Sequence, residues 1–274
     1  SSPMADMCWD ERSMPLISLA GVGKSFQSRS GRPWTAVTDF NLALDEGEFY
    51  CLLGPSGCGK STVLSLLAGF TLPTTGRIEV SGQPVLGASR DRGVVFQGDD
   101  SLYPWLTALE NVEFGLRLRG MPRRDRRDHA MRHLDMVGLR GQEAKHPTEL
   151  SGGMKQRVQI ARALANEPRI LLMDEPFGAL DAQTRGVMQA ELRRIWERMR
   201  VTVVFITHDI DEAIVLGTRV GVMTAGPGGT LKADLPVDIE GDRARSDPRA
   251  IALYERIQGM VRDEVDRARE RSAA

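Results

Sequence analysis

At 274 residues the chain is long enough for one large domain or two small ones around a sizeable core. Its 36 basic side chains balance 37 acidic ones, which argues against a nucleic-acid surface as its main business. Three cysteines, Cys8, Cys51 and Cys58, argue against a disulfide framework and fit a reducing, cytoplasmic setting. No apolar run approaches the roughly 20 residues that span a bilayer, and the N-terminus lacks a signal-peptide core.

Ile17 to Asp45 reads as short strands and turns, with a polar loop at Ser28–Pro33. Phe26, just before that loop, is either a core or hairpin phenylalanine or a ring that stacks on a nucleobase. Glu48 to Leu53 is apolar and aromatic enough for a buried strand, and Thr62 to Ala68 carries Val63, Leu64, Leu66 and Leu67 at helical spacing. Between them runs Gly54, Pro55, Ser56, Gly57, Cys58, Gly59, Lys60, Ser61, Thr62, which fits the phosphate-binding pattern G-x-x-x-x-G-K-[ST]. In this strand–loop–helix setting the glycines let backbone N–H groups turn around an anion, and the helix directs its positive end to the same point. Lys60 supplies a full charge for terminal phosphates, and the Ser61 hydroxyl can ligate Mg²⁺. A Cys58 thiol inside that cradle, near Lys60 and a helix start, is expected to have a lowered pKa.

Gly76 to Val80 and Gly93 to Phe96 read as further strands. Gln97 follows the second one, at a strand end where open α/β sheets bind ligands; it can orient a metal or an attacking water, or be a solvated strand terminus. Thr107–Arg119 and Arg123–Val137 are helical, so Gly98 to about Leu150 reads as a mostly helical insertion. Arg123, Arg124, Arg126 and Arg127 interleave with Asp125 and Asp128 and make a solvated helix face. Trp105, in a Pro-punctuated loop, is a packing anchor or a hot spot for a partner.

In Leu150-Ser151-Gly152-Gly153-Met154-Lys155-Gln156, Ser151 suits the N-cap of a helix that continues to about Asn166, and the glycines permit close approach to an anion. The buried strand Ile170–Met173 ends in Asp174 and Glu175, and two carboxylates at a strand mouth are costly without work or partners. Asp174 is expected on the Mg²⁺ shell and Glu175 as the group that polarises the attacking water. Asp181 can cap the following helix, whose stripe of Met188, Leu192, Ile195, Trp196 and Met199 is core. Another strand, Thr202–Ile206, leads to His208, which falls at the same sheet end and is read as a γ-phosphate contact. After Val220–Thr224 come a flexible Ala225–Gly229 turn, a possible strand pair and a charged helix from about Asp247 to Arg271 without a chemical signal.

Taken in order, Gly54–Thr62, Gln97, Leu150–Gln156, Ile170–Pro176, Ala179-Leu180-Asp181 and Thr207-His208 resemble the nucleotide-binding subunits of ATP-binding-cassette transporters along nearly the whole chain. Met154 stands where glutamine is commonest in that family. Leu102–Trp105, Asp174–Asp181 and Gly226-Pro227-Gly228 look like the subgroup that imports nitrate, sulfonates and taurine. The resemblance implies an α/β fold: a phosphate-loop NTPase (RecA-like) core sheet with flanking helices, an N-terminal antiparallel β subdomain and a helical insertion. It divides the chain into a core of residues 1–97 and 158–225, a helical subdomain of 98–157 and a C-terminal extension of 226–274.

The same resemblance implies ATP hydrolysis with Mg²⁺, with Glu175, His208 and Gln97 catalytic and Ser61, Gln97 and Asp174 around the metal. Nucleotide contacts would come from Phe26, Gly54 to Thr62, Asp181 and, from a second copy, Ser151, Gly152 and Gly153. Membrane permease subunits are the expected partners, contacted by the loop after Gln97, with a substrate-binding protein acting indirectly and no nucleic acid. The expected location is peripheral, on the cytoplasmic face of the plasma membrane. The alternative is a soluble ABC ATPase acting on nucleic acid or ribosomes, which usually carries two cassettes or a long coiled-coil insertion.

Overall fold

A computed structural model describes residues 14–27, 33–98, 101–239, 241, 243 and 247–273; Cys8 and residues 28–32 of the expected polar loop lie outside these. The first strands are β1 (Ile17–Gln27) and β2 (Pro33–Leu44), after which β3 (Phe49–Leu53) leaves for a second sheet and β4 (Thr75–Val80) and β5 (Gln83–Pro84) return. The first sheet is antiparallel in the order β2-β1-β4-β5. Where short strands were expected before Asp45, there are two long ones of 11 and 12 residues. Register shifts between Leu19 and Ser25, with Gly21 and Asp39 at positive φ, break the alternation that a continuous strand shows in sequence.

The second sheet adds β6 (Arg92–Val95), β7 (Ile170–Asp174), β8 (Thr202–Ile206), β9 (Arg219–Met223) and β10 (Leu231–Pro236), in the order β10-β9-β3-β8-β7-β6. The five strands from β9 to β6 are parallel, and β10 runs antiparallel on the β9 edge. All of β3 and β8 is buried, as expected for parallel strands covered on both faces. Successive side chains of β3 point into different cores. Phe49, Cys51 and Leu53 pack with most of the helices, while Tyr50 and Leu52 pack under the first sheet and α1 (Lys60–Ala68). The possible strand pair after Gly229 is the single strand β10, which folds back on β9.

On one side α2 (Ala108–Leu118), α3 (Arg123–Met136) and α4 (Gly152–Leu164) pack on one another. Thr107 and Glu110 form a reciprocal capping box at the start of α2. The arginine run at the start of α3 is solvated apart from Arg126, which reaches Glu113 at 3.3 Å. The remaining helices are α5 (Ala182–Met199), α6 (Ile210–Leu216) and α7 (Pro248–Ala273). In α5 the expected stripe is core, with Met188, Leu192, Ile195 and Trp196 buried, and α7 lies on α6 and β9. Among the described residues no helix is long and apolar enough to cross a membrane.

Candidate nucleotide site

The loop between β3 and α1 is shaped by its neighbours. Gly59 caps α1 at φ 104°, and a Cβ there would sit 2.7 Å from the Ala36 carbonyl of β2, so only glycine lets the loop lie this close to the strand. Lys60 is 7% exposed, and its ammonium donates to the carbonyls of Gly54 at 2.8 Å and Pro55 at 3.1 Å. The loop's own backbone therefore holds the cation at its mouth. Ser56 and Gly57 are exposed at the tip, and Ser61 is exposed at the helix start. Cys58 corrects an expectation: it is fully buried, and burial raises its thiol pKa despite the lowering influence of Lys60. Its sulfur lies against Met223 and Lys60 and not toward solvent.

The Ser61 hydroxyl hydrogen-bonds Asp174 at the end of β7. Burial raises the Asp174 pKa; the Ser61 bond and Lys60 oppose this, and the Glu175 charge adds to it. A half-buried carboxyl in that state, beside a hydroxyl, gains from a hard divalent cation with oxygen ligands. Among the described residues no cluster of three His, Cys, Asp or Glu forms a protein-only metal cage.

Next along the chain, Glu175 has φ 42°, an uncommon conformation for a residue with a side chain, and its N–H donates to the Ile206 carbonyl of β8 at 3.0 Å. Its carboxylate meets His208 Nδ1 at 3.0 Å. A Cβ built on Gly178 would lie 3.3 Å from Gln97 Nε2 and 3.8 Å from Glu175 Oε2, so Gln97 reaches the same spot from the end of β6. Gln97, Asp174, Glu175 and His208 thus converge at the carboxyl ends of β6, β7 and β8, beside the loop that leaves β3.

Several further residues support these from behind. Thr207 is buried and donates its hydroxyl to Glu212, which also accepts from Gln189 at 3.1 Å. Burial raises the Glu212 pKa, and the Thr207 and Gln189 hydrogen bonds hold it down in part. Arg185 joins Asp209 at 3.5 Å to the Leu180 carbonyl at 3.0 Å, which links the His208 turn to the turn before α5. Glu212 had one signal, a carboxylate within the apolar run of α6, whereas Arg185 and Gln189 look like surface residues of α5. Asn111, buried in α2, donates to the carbonyls of Tyr103, Leu106 and Thr107 and so shapes the Trp105 loop.

Phe26 is 38% exposed and stacks on Trp34 with ring centroids 5.8 Å apart. Trp34 is exposed as well and stands two residues before Ala36 on β2, the residue that touches Gly59. The aromatic pair and the phosphate loop therefore share one strand. The Asp181 carboxylate caps α5, accepting from the N–H groups of Gln183 and Thr184 and the Thr184 hydroxyl. Ser151 is exposed and caps α4 through the Met154 N–H at 3.3 Å, while Gly153 packs against Thr184. This turn opens on a cleft of about 300 Å³ with Arg140 and Arg157 on its wall. Trp105 is 70% exposed.

Residues 37–178 match the family model described as ABC transporter. The chain is 50% identical over 226 residues to the nitrate import ATP-binding protein NrtD of Synechocystis sp., covering 82% of this chain and 84% of that one. It is 49% identical over 238 residues to the taurine import ATP-binding protein TauB of Chromobacterium violaceum, covering 84% and 91%. Among solved structures it is similar to the dimeric, post-hydrolysis ATP-binding cassette MJ0796 bound to ADP and Pi. That likeness has a TM-score of 0.71 and 35% identity over 81% of this chain and 99% of that one. The two named relatives are importer subunits, which leaves the nucleic-acid alternative without support.

Proposed function

The chain belongs to the ABC transporter family as an ATP-binding subunit whose hydrolysis of ATP is coupled to transport, and on that premise we propose how its residues divide the work. Gly54 to Thr62 cradles the phosphates of ATP with backbone N–H groups, and Lys60 shifts its ammonium from the loop carbonyls to the terminal phosphates. Ser61, Asp174 and Gln97 would hold Mg²⁺, which would supply positive charge against the phosphates. Glu175 orients and polarises the attacking water. His208 fixes the Glu175 carboxylate through its Nδ1 and turns the rest of its ring to the γ-phosphate. Phe26, with Trp34 beside it, offers a stacking face to the adenine.

The observation that carries this reading is the meeting of Gln97, Glu175 and His208 beside the Ser61–Asp174 pair, at the strand ends where open α/β sheets bind ligands. Glu175→Gln keeps the shape and removes the carboxylate. ATP hydrolysis is expected to fall about 10²–10⁴-fold while ATP affinity stays near that of the wild type; a turnover within twofold of the wild type would remove Glu175 from the role.

The site is completed by the Ser151-Gly152-Gly153 turn of a second copy, whose α4 N-terminus faces the γ-phosphate, with Asp181 near the same seam. The dimeric state of the solved cassette supports this arrangement. The exposed Trp105 and its loop dock on a membrane permease at the cytoplasmic face of the plasma membrane, and a separate binding protein delivers the cargo. The named relatives support a small oxyanion or sulfonate such as nitrate or taurine as that cargo.

A further inference from the structure

The charged helix α7 carries no chemical signal in sequence, yet it buries a carboxylate. Glu264 is 1% exposed. Its Oε1 meets Lys232 Nζ at 2.8 Å and Arg267 Nη1 at 2.7 Å, and its Oε2 accepts the Ala225 N–H at 3.0 Å. A buried carboxylate is costly, and three donors from β10, α7 and the turn after β9 offset that cost. Although burial opposes it, the Lys232 and Ala225 bonds hold the carboxyl below its usual range, so it stays ionised.

Ala225 opens the Ala225–Gly229 turn, and that turn lies directly on the phosphate loop. A Cβ on Gly226 would run into the Gly57 carbonyl, and one on Gly229 into the Cys58 carbonyl. On its other side the turn is pinned to β2: Gly228 N–H donates to Thr35 at 2.8 Å, Gly229 N–H to Ala36 at 3.2 Å, and Thr38 N–H to Gly229 at 3.2 Å. The loop backbone at Gly57 and Cys58 therefore rests on a turn whose first amide is held by Glu264. Close-packed backbone of this kind passes a displacement on, since no flexible side chain lies between to absorb it.

We infer that Glu264 is a positioning residue for nucleotide binding: through the Ala225–Gly229 turn it fixes the phosphate loop, so that α7 sets the affinity of the site for ATP. The inference rests on the reading of Gly54–Thr62 as the ATP site. The test titrates the full chain with a fluorescent ATP analogue and follows amide exchange at Gly57 to Gly59. Glu264→Ala is expected to weaken affinity about tenfold, raise the KM for ATP with kcat nearly kept, and speed exchange in the loop. Glu264→Gln, which still offers an oxygen to the Ala225 N–H, is expected to stay within about threefold of the wild type.

Unchanged affinity in a folded Glu264→Ala variant, or equal weakening by Gln and Ala, overturns the inference. Should Glu264→Ala not fold, Lys232→Gln takes its place, with about threefold weaker binding expected and unchanged binding overturning the idea. Lys60→Ala separates the two readings. If it binds as tightly as the wild type, the ATP-site reading has failed; if it binds weakly while Glu264→Ala matches the wild type, only the role of Glu264 has failed.

Discussion

The phosphate loop and the Ser151–Gly153 turn are both glycine-bearing starts of helices, and the fold treats them differently. Around the loop, one chain supplies contacts from β2, from Met223 at the end of β9 and from the Ala225–Gly229 turn. The Ser151–Gly153 turn is held by its own cap and by Thr184, and it presents the Ser151 side chain to solvent. A cradle for an anion must have its N–H groups aimed before the ligand arrives, because ordering them on binding would cost entropy. A turn that meets its target across an interface needs access more than enclosure. In the dimer proposed above, the difference is that between a half-site that is preorganised and one that is presented.

The largest break in this contrast comes from Lys60→Ala, which removes the only full charge within the loop and should weaken ATP binding about 100-fold, measured by titration of the isolated chain. A loss smaller than about threefold would mean that Gly54–Thr62 is not where ATP binds. Ser151→Arg should leave the ATP affinity of the single chain within about twofold while lowering ATP-dependent dimerisation tenfold or more, read by light scattering with the Glu175→Gln background to trap ATP. Should dimers persist undiminished, the turn is not the presented half.

Glu212 tests the support beneath His208. Its folded pKa is raised by burial, so its contribution to stability is present below the ordinary carboxylate pKa and is lost as pH rises through the raised value. Glu212→Gln does not titrate, and its Tm relative to the wild type should climb as pH rises through that window. A difference that is flat with pH contradicts this. The smallest effect expected is at Cys58: because it is buried with a raised pKa, alkylation at neutral pH should be slow with or without ATP. Fast labelling that ATP blocks would show a loop far more open than the packing against Met223 implies.

Much of the site was legible because phosphate chemistry asks for particular residues at short spacing. Gly54–Thr62 and the Asp174-Glu175 strand end are local patterns, and the caps at Ser151 and Asp181 follow from residue type. The error at Cys58 came from the same locality: Lys60 two residues on argues for a low pKa, and only packing against Met223 reveals the larger cost of burial. The long strands β1 and β2 looked like short pieces because bulges shift their register.

By itself, then, the sequence determined the phosphate loop, the parallel strands that end in its partners and the family of the chain, since each is written in contiguous residues. Tertiary structure alone decided that Gln97, Glu175 and His208 share one point, that Trp34 joins Phe26, that Glu212 and Arg185 hold the turns behind the site, and that Glu264 accepts the Ala225 N–H of the turn that lies on the loop. The physical reason is that such contacts depend on which strand ends lie side by side and which turns press together. Sheet order and burial set that, and neither is encoded in the spacing of any single segment.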